Sequence, residues 1–208
     1  MIILDLDGCC ANFADAAAAV HGKWGTKIDK WNFFTNWGLD EKKFWAKITE
    51  MGDDFYRDMV LPYPWTEELL NLVNEADDFI IMSSPACNTP VGYAAKKIWV
   101  DKYLQPLLVD PIKLIVGSEK QLLAGVDRLL IDDSDDNIKK FREAKPICGY
   151  AVTFPQLWNR QAKAGSGSLT FLKGYLKHWK VVRIDEEHNK RQNKIARSLW
   201  PESDSPGN

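Results

Sequence analysis

Ile2-Ile3-Leu4-Asp5-Leu6-Asp7-Gly8 is the stretch from which the rest of this chain is read. Aliphatic residues running into a first carboxylate predict a buried strand. Side chains alternate along a strand, so Asp5 and Asp7 face the same way if the backbone stays extended. Gly8 supplies a turn at which backbone can approach a ligand closely. Two carboxylates at the end of a buried strand repel each other and lose hydration, and a hard divalent cation between them is the simplest remedy. Alone, the pattern would equally open a calcium loop or cap a helix.

Further along, the same arrangement recurs in a definite order. Phe79-Ile80-Ile81-Met82 ends in Ser83-Ser84-Pro85, and Lys113-Leu114-Ile115-Val116 is followed by Gly117-Ser118-Glu119-Lys120. Arg128-Leu129-Leu130-Ile131 ends in Asp132-Asp133-Ser134-Asp135-Asp136, and Ile147–Val152 reads as a fifth strand. Helical patterns separate them. Residues 65–76 carry Leu69, Leu70, Leu72 and Val73 at helical spacing. Val91, Ala94, Ala95, Ile98, Trp99 and Leu104 form another apolar stripe, with Thr89 as N-cap and Pro90 at the first helical position. Strands alternating with helices predict an α/β fold, a doubly wound parallel sheet. Ligands bind such sheets at the carboxyl edge, where every polar group above falls. A carboxylate pair, two hydroxyls, an amine and a second acidic cluster suit a magnesium-bound phosphoryl group. A helix beginning just after Ser84 would also turn its N–H groups toward phosphate.

The order Asp-x-Asp-Gly, Ser, Lys, Asp-Asp resembles the four-motif pattern of the haloacid dehalogenase-like phosphohydrolases. Met82-Ser83-Ser84-Pro85, Lys96-Lys97-Ile98-Trp99-Val100 and Leu129–Asp133 are similar to the 5'(3')-deoxyribonucleotidases, as are Asp7-Gly8 followed by Ala11-Asn12-Phe13, and Asn159-Arg160. The resemblance covers roughly residues 1–180. It implies a magnesium-dependent phosphomonoesterase that hydrolyses (deoxy)nucleoside monophosphates through an aspartyl-phosphate. Asp5 would be the nucleophile and Asp7 the general acid and base. Asp5, the backbone carbonyl of Asp7 and Asp133 would hold Mg2+, with Asp132 as a second candidate. Ser83, Ser84 and Lys120 would hold phosphate oxygens, Lys120 being preferred to Lys113 on the family's spacing. The family often places a lysine just after the Ser-Pro pair, where Ala86-Cys87-Asn88 stands here. A phosphatase for another small metabolite, such as a sugar phosphate, is therefore the alternative.

Residues 13–64 are the expected insertion, a small helical cap over the catalytic edge. Residues 1–12 and 65–182 would form the core, and 183–208 a polar tail. Trp24, Trp31, Phe33, Phe34, Trp37, Phe44, Trp45, Phe55 and Tyr56 crowd into the insertion. Most would serve to glue a small subdomain, but a nucleobase also needs flat partners. Phe33, Phe34, Trp37 and Trp45 are the candidates for that, and Arg160 is a candidate for phosphate or base. A last helix is expected over Leu169–Trp179, with Leu172, Leu176 and Trp179 on one face. The tail reads as a solvated helix, disordered from Pro201 onward.

Composition narrows the class. The 208 residues are 45% hydrophobic with a net charge of −2, which suits one compact domain with an insertion and argues against a broad nucleic-acid surface. No apolar run approaches a membrane span, and no secretion signal is evident, so a cytoplasmic enzyme is expected. Cys9, Cys10, Cys87 and Cys148 lack metal or disulfide spacing, and Cys9-Cys10 read as core-filling thiols. His21, His178 and His188 have no ligand spacing. A phosphorylation-dependent receiver domain places its acceptor on a later strand, and no P-loop sequence occurs. The partner expected is a small nucleotide, and the sequence leaves a homodimer open.

Overall fold

The structure, a computed structural model, describes residues 1–85, 90–181 and 183. Five strands form one sheet: β1 (Ile2–Asp5), β2 (Phe79–Ser83), β3 (Leu114–Val116), β4 (Leu129–Asp132) and β5 (Tyr150–Thr153). Their order is β3-β2-β1-β4-β5, and every pair is parallel. Leu4 lies opposite Ile81 on one side and Ile131 on the other, so β1 occupies the centre. A central parallel strand is buried on both faces, which is why it reads as an unbroken aliphatic run. The fifth strand starts later than its apolar run suggests, because the Gly149 N–H bonds the Phe141 carbonyl instead of joining the ladder.

Alternation along the strands sends Ile3, Ile80, Met82, Leu130 and Ala151 to one face. Ile2, Leu4, Ile81, Leu129, Ile131 and Val152 go to the other. Helices cover both, as in a doubly wound α/β fold. The helices in chain order are α1 (Phe13–Val20), α2 (Glu41–Met51), α3 (Thr66–Ala76), α4 (Pro90–Trp99), α5 (Asp135–Arg142) and α6 (169–181). Ile138 and Phe141 of α5 cover the first face. Leu69, Leu70 and Val73 of α3, Ala95 and Trp99 of α4, and Leu172, Leu176 and Trp179 of α6 pack on the second.

Pro90 opens α4 as expected, but the buried stripe is rotated from the one anticipated. Gly92, Ala95, Lys96 and Trp99 face inward, while Val91 is 44% exposed and Ala94 is also outside. A lysine thus occupies a core position that apolar spacing alone assigned to its neighbours. Ala86–Asn88 and Thr89 lie outside the described residues, as does the tail from residue 184. Among the described residues, no helix is long and apolar enough to cross a membrane.

The chain between β1 and β2 holds the aromatic insertion. Asn12 caps α1 by accepting from the Asp15 N–H, and Asp40 caps α2 by accepting from Lys43. A 3-10 turn (Phe33–Trp37) precedes α2, and a π turn (Phe55–Met59) follows it. Phe44 is the hub of the ring packing. Phe34 stacks on it at 4.7 Å, His21 at 5.3 Å, and Phe33 meets it edge-on at 5.7 Å. Such pairs each add about 0.5–1.5 kcal/mol beyond area burial. Phe44, Ile48, Phe55 and Tyr56 belong to the same hydrophobic cluster as Leu4 and Ile131, so insertion and sheet share one core.

Candidate active site

At the carboxyl edge, β1 ends at Asp5 and its neighbour β4 ends at Asp132, with Asp133 next in the chain. One oxygen from each of these carboxylates can be chosen so that all three lie within 4.8 Å of one another. All three residues are buried. Lys120, 2% exposed, projects into the group from a 3-10 turn (Lys120–Leu123) after β3. Its Nζ is 2.6 Å from Asp5 Oδ1 and 2.5 Å from Asp132 Oδ2. Lys113, the rival, is not among the ion pairs of this group.

The carboxylates have different partners. Asp132 accepts from the Ser134 N–H, from Asn137 Nδ2 at both carboxylate oxygens (3.2 and 3.1 Å), and from Lys120. Its oxygens are fully committed to the protein. Asp5 Oδ1 accepts from the Leu6 N–H at 2.8 Å as well as from Lys120, and Oδ2 takes no hydrogen bond among the described residues. Asp133 Oδ2 accepts from Trp158 Nε1 at 2.9 Å. Gly8 turns with φ +77° directly against the Asp133 carboxylate, in space that a Cβ would fill. Asn159 ties the Asp133 carbonyl to that of Phe154 by donating to both at 2.8 Å.

Burial, reinforced by Asp132 and Asp7 against the opposing pull of Lys120, pushes the Asp5 carboxyl up to about 7. Burial also holds Asp133 well above the usual carboxylate range, with Asp5 and Asp132 adding to it. For Lys120, burial alone would lower the ammonium's pKa, but Asp132 and Asp5 more than reverse this and raise it. Three carboxylates around one ammonium are under-neutralised. A hard cation with oxygen ligands fits such a set, since it supplies the missing positive charge and prefers these donors.

Asp7 does not join that group. The backbone leaves the extended conformation at Leu6, so Asp5 and Asp7 part instead of facing the same way as expected. The Asp7 carboxylate turns toward the insertion, where Tyr56 donates its hydroxyl to both oxygens at 3.1 Å. Lys96 Nζ forms an ion pair with the same carboxylate and donates to the Tyr56 hydroxyl at 2.5 Å. Burial lowers the Lys96 pKa, and Asp7 opposes that.

Above these groups lies a cavity of about 420 Å³, within the size range of small-molecule sites. Asp5, Asp7, Lys120 and Asp133 form its floor together with Ser84 and Pro85. Phe13, Phe33, Phe34, Phe44, Trp45 and Tyr56 form a wall, and Trp158, from the segment after β5, also lines the cavity. Ser83 is wholly buried at the end of β2, its hydroxyl donating to the Ser84 carbonyl at 3.3 Å. Of the aromatic candidates, Phe33, Phe34 and Trp45 line the cavity. Trp37 does not: it packs on Phe33, and its Nε1 donates to Thr26 Oγ1. Nor does Arg160, which is held by Asp135 at 3.0 Å and by the Thr153 hydroxyl.

Sequence reasoning named Lys96 only within a family-like segment and Tyr56 only among the insertion's aromatics, gave neither a role, and did not single out Trp158 or Asn137. A lysine at a core position of α4 is a readable signal once the stripe is phased on Trp99 and Ala95. Trp158 and Asn137 reach the site through folding alone, and no local pattern announces them. Cys9 and Cys10 are wholly buried, and burial drives both thiols' pKa values upward, so they are core residues and not nucleophiles.

Among solved structures, a haloacid dehalogenase-like family hydrolase from Streptococcus pneumoniae is similar at 12% identity, covering 84% of this chain and 97% of that one, with a TM-score of 0.46. A haloacid dehalogenase family enzyme from Bacteroides thetaiotaomicron, an Asp-to-Ala mutant in complex with magnesium and inorganic phosphate, is 17% identical. That match covers 79% of this chain and 97% of the other, at a TM-score of 0.42. Among curated proteins no match is found. The family model described as 5' nucleotidase, deoxy (pyrimidine), cytosolic type C matches residues 1–163, and this chain belongs to that family.

Proposed function

We propose that the chain is a magnesium-dependent phosphomonoesterase acting on (deoxy)nucleoside monophosphates. The observation that carries this reading is the Asp5–Lys120–Asp132–Asp133 group on the floor of an aromatic-walled cavity. Asp5, Asp133 and the backbone carbonyl of Asp7 would hold Mg2+. Asp132 is better suited to orienting Lys120, since its oxygens are already taken. The ion would offset the charge on the phosphate and its attacker when bound.

Asp5 attacks phosphorus through Oδ2, because Lys120 and the Leu6 N–H fix Oδ1. The P–O bond to the ribose breaks as Asp7 gives its proton to the leaving oxygen, and the phosphoryl group passes to Asp5. Asp7 then takes a proton from water, whose oxygen attacks phosphorus. This releases phosphate, regenerates the Asp5 carboxylate and returns the proton to Asp7. Ser84 and Lys120 hold phosphate oxygens, with Ser83 supporting the turn beside them. Phe33, Phe34 and Trp45 give the base a stacking surface, which favours a nucleotide over a sugar phosphate. The reading includes a cytoplasmic location, in keeping with the family's description.

The test is phosphate release from purified protein with magnesium, against nucleoside monophosphates and sugar phosphates. Higher kcat/KM on nucleotides supports the proposal, whereas a preference for sugar phosphates would replace the substrate class and leave the chemistry. Asp5→Asn should lower turnover by several orders of magnitude. Near wild-type turnover in that variant would refute the nucleophile.

A further inference from the structure

Lys96 is a buried ammonium that none of the steps above uses. It is 0% exposed, so substrate cannot touch it. Its neighbours on the inward stripe of α4 are Gly92, Ala95 and Trp99, among which a methionine of similar length would pack without losing hydration. The charge at this position is therefore not explained by packing. What it meets is specific: the Asp7 carboxylate, the Tyr56 hydroxyl at 2.5 Å, and the face of the Tyr56 ring 3.9 Å from its centroid. Tyr56 in turn donates to both Asp7 oxygens.

We propose that Lys96 is a positioning residue for the leaving-group proton transfer, clamping the Asp7 carboxylate together with Tyr56 and keeping it off a cation held by Asp5 and Asp133. The inference rests on the phosphatase reading. Asp7 lies two residues from Asp5, and a cation held by Asp5 and Asp133 would attract its carboxylate. A carboxylate drawn onto that cation would turn away from the leaving oxygen it has to protonate. An ammonium and a hydroxyl on the opposite side supply the counter-pull, and they hold the rotamer that faces the cavity. Tyr56 comes from the insertion and Lys96 from α4, so the clamp joins the insertion to the chemistry of β1.

The experiment compares kcat/KM for p-nitrophenyl phosphate and phenyl phosphate in wild type, Lys96→Met and Tyr56→Phe. Positioned acid catalysis contributes roughly 10²–10⁴-fold and matters most for the poorer leaving group. Lys96→Met should therefore lose about tenfold or more on phenyl phosphate beyond its loss on p-nitrophenyl phosphate. Asp7→Asn placed in the Lys96→Met background should add less leaving-group discrimination than it does in wild type. Tyr56→Phe, which keeps the ring, should change the ratio in the same direction and decides the matter if Lys96→Met does not fold. Equal losses on both esters overturn the clamp, as does full additivity of Asp7→Asn. Wild-type protein that hydrolyses neither ester would instead overturn the phosphatase reading itself.

Discussion

Trp158 shows how much of this site lies in single contacts. Its Nε1 donates to Asp133 Oδ2, and Gly8 lies close against the same carboxylate. Removing a hydrogen bond that orients a metal ligand usually costs 10–100-fold in metal affinity. Trp158→Phe keeps most of the ring, so the magnesium concentration needed for half-maximal thermal stabilisation should rise by about that factor. An unchanged midpoint would mean that Asp133 is held by the loop alone. Asp7→Asn tests a different contact. It should spare p-nitrophenyl phosphate more than a nucleotide, because a good leaving group has less need of a proton. Equal losses on the two substrates would contradict the acid role. At this scale the sequence was most legible for Asp5, Lys120, Asp132 and Asp133, since each ends or follows an apolar run. It left the relation between Asp5 and Asp7 dependent on an extended backbone, and the chain bends at Leu6, because spacing cannot say where a strand stops. Arg160 and Trp37 illustrate a further gap: residue type suggested substrate contact, and neighbouring Asp135 and Thr26 claimed them.

Elements were easier to read than their faces. All five strands fall on their apolar runs, because a parallel sheet buried on both sides demands continuous aliphatic sequence. The phase of α4 was legible only in part: Ala95 and Trp99 face inward as expected, but Gly92 and Lys96 complete the stripe and neither scores as apolar. For the insertion, aromatic content gave the presence of a helical element but not the direction of each ring. The 3-10 turn now separates two of them. Phe34 lines the cavity while Trp37 packs behind it. Base stacking is worth roughly 1–3 kcal/mol, so Phe34→Ala should reduce kcat/KM for a nucleotide by about one to two orders of magnitude. The same variant should leave p-nitrophenyl phosphate nearly untouched. Trp37→Ala should lower the melting temperature and treat the two substrates alike. A Trp37→Ala that discriminates between substrates, or a Phe34→Ala that does not, would invert this assignment of wall and backing.

For the molecule as a whole, the acidic floor links stability to pH and, on the proposed reading, to magnesium. Burial raises the Asp5 pKa from its ordinary value to about 7, and Asp133 is raised as well. A carboxyl whose folded pKa lies above its unfolded one contributes stability at low pH and loses it as pH rises through the folded value. In chelator, the melting temperature should therefore fall between about pH 4 and about pH 7, the window set by Asp5. Added Mg2+ should raise it more at the upper end, where the carboxylates are ionised and the ion has no protons to displace. A larger magnesium effect at the acidic end would contradict the floor as the binding place. The single core uniting insertion and sheet carries a different lesson, about inheritance. Leu4, next to Asp5 on the central strand, and Phe44, in the cavity wall, are packed in one cluster. Selectivity in this chain is thus not a detachable module. Exchanging residues 13–64 for the insertion of a relative would replace part of the core that packs with the central strand. A new substrate range must instead come by small changes that leave Phe44 in place, each of them measurable first as a change in how well the protein folds.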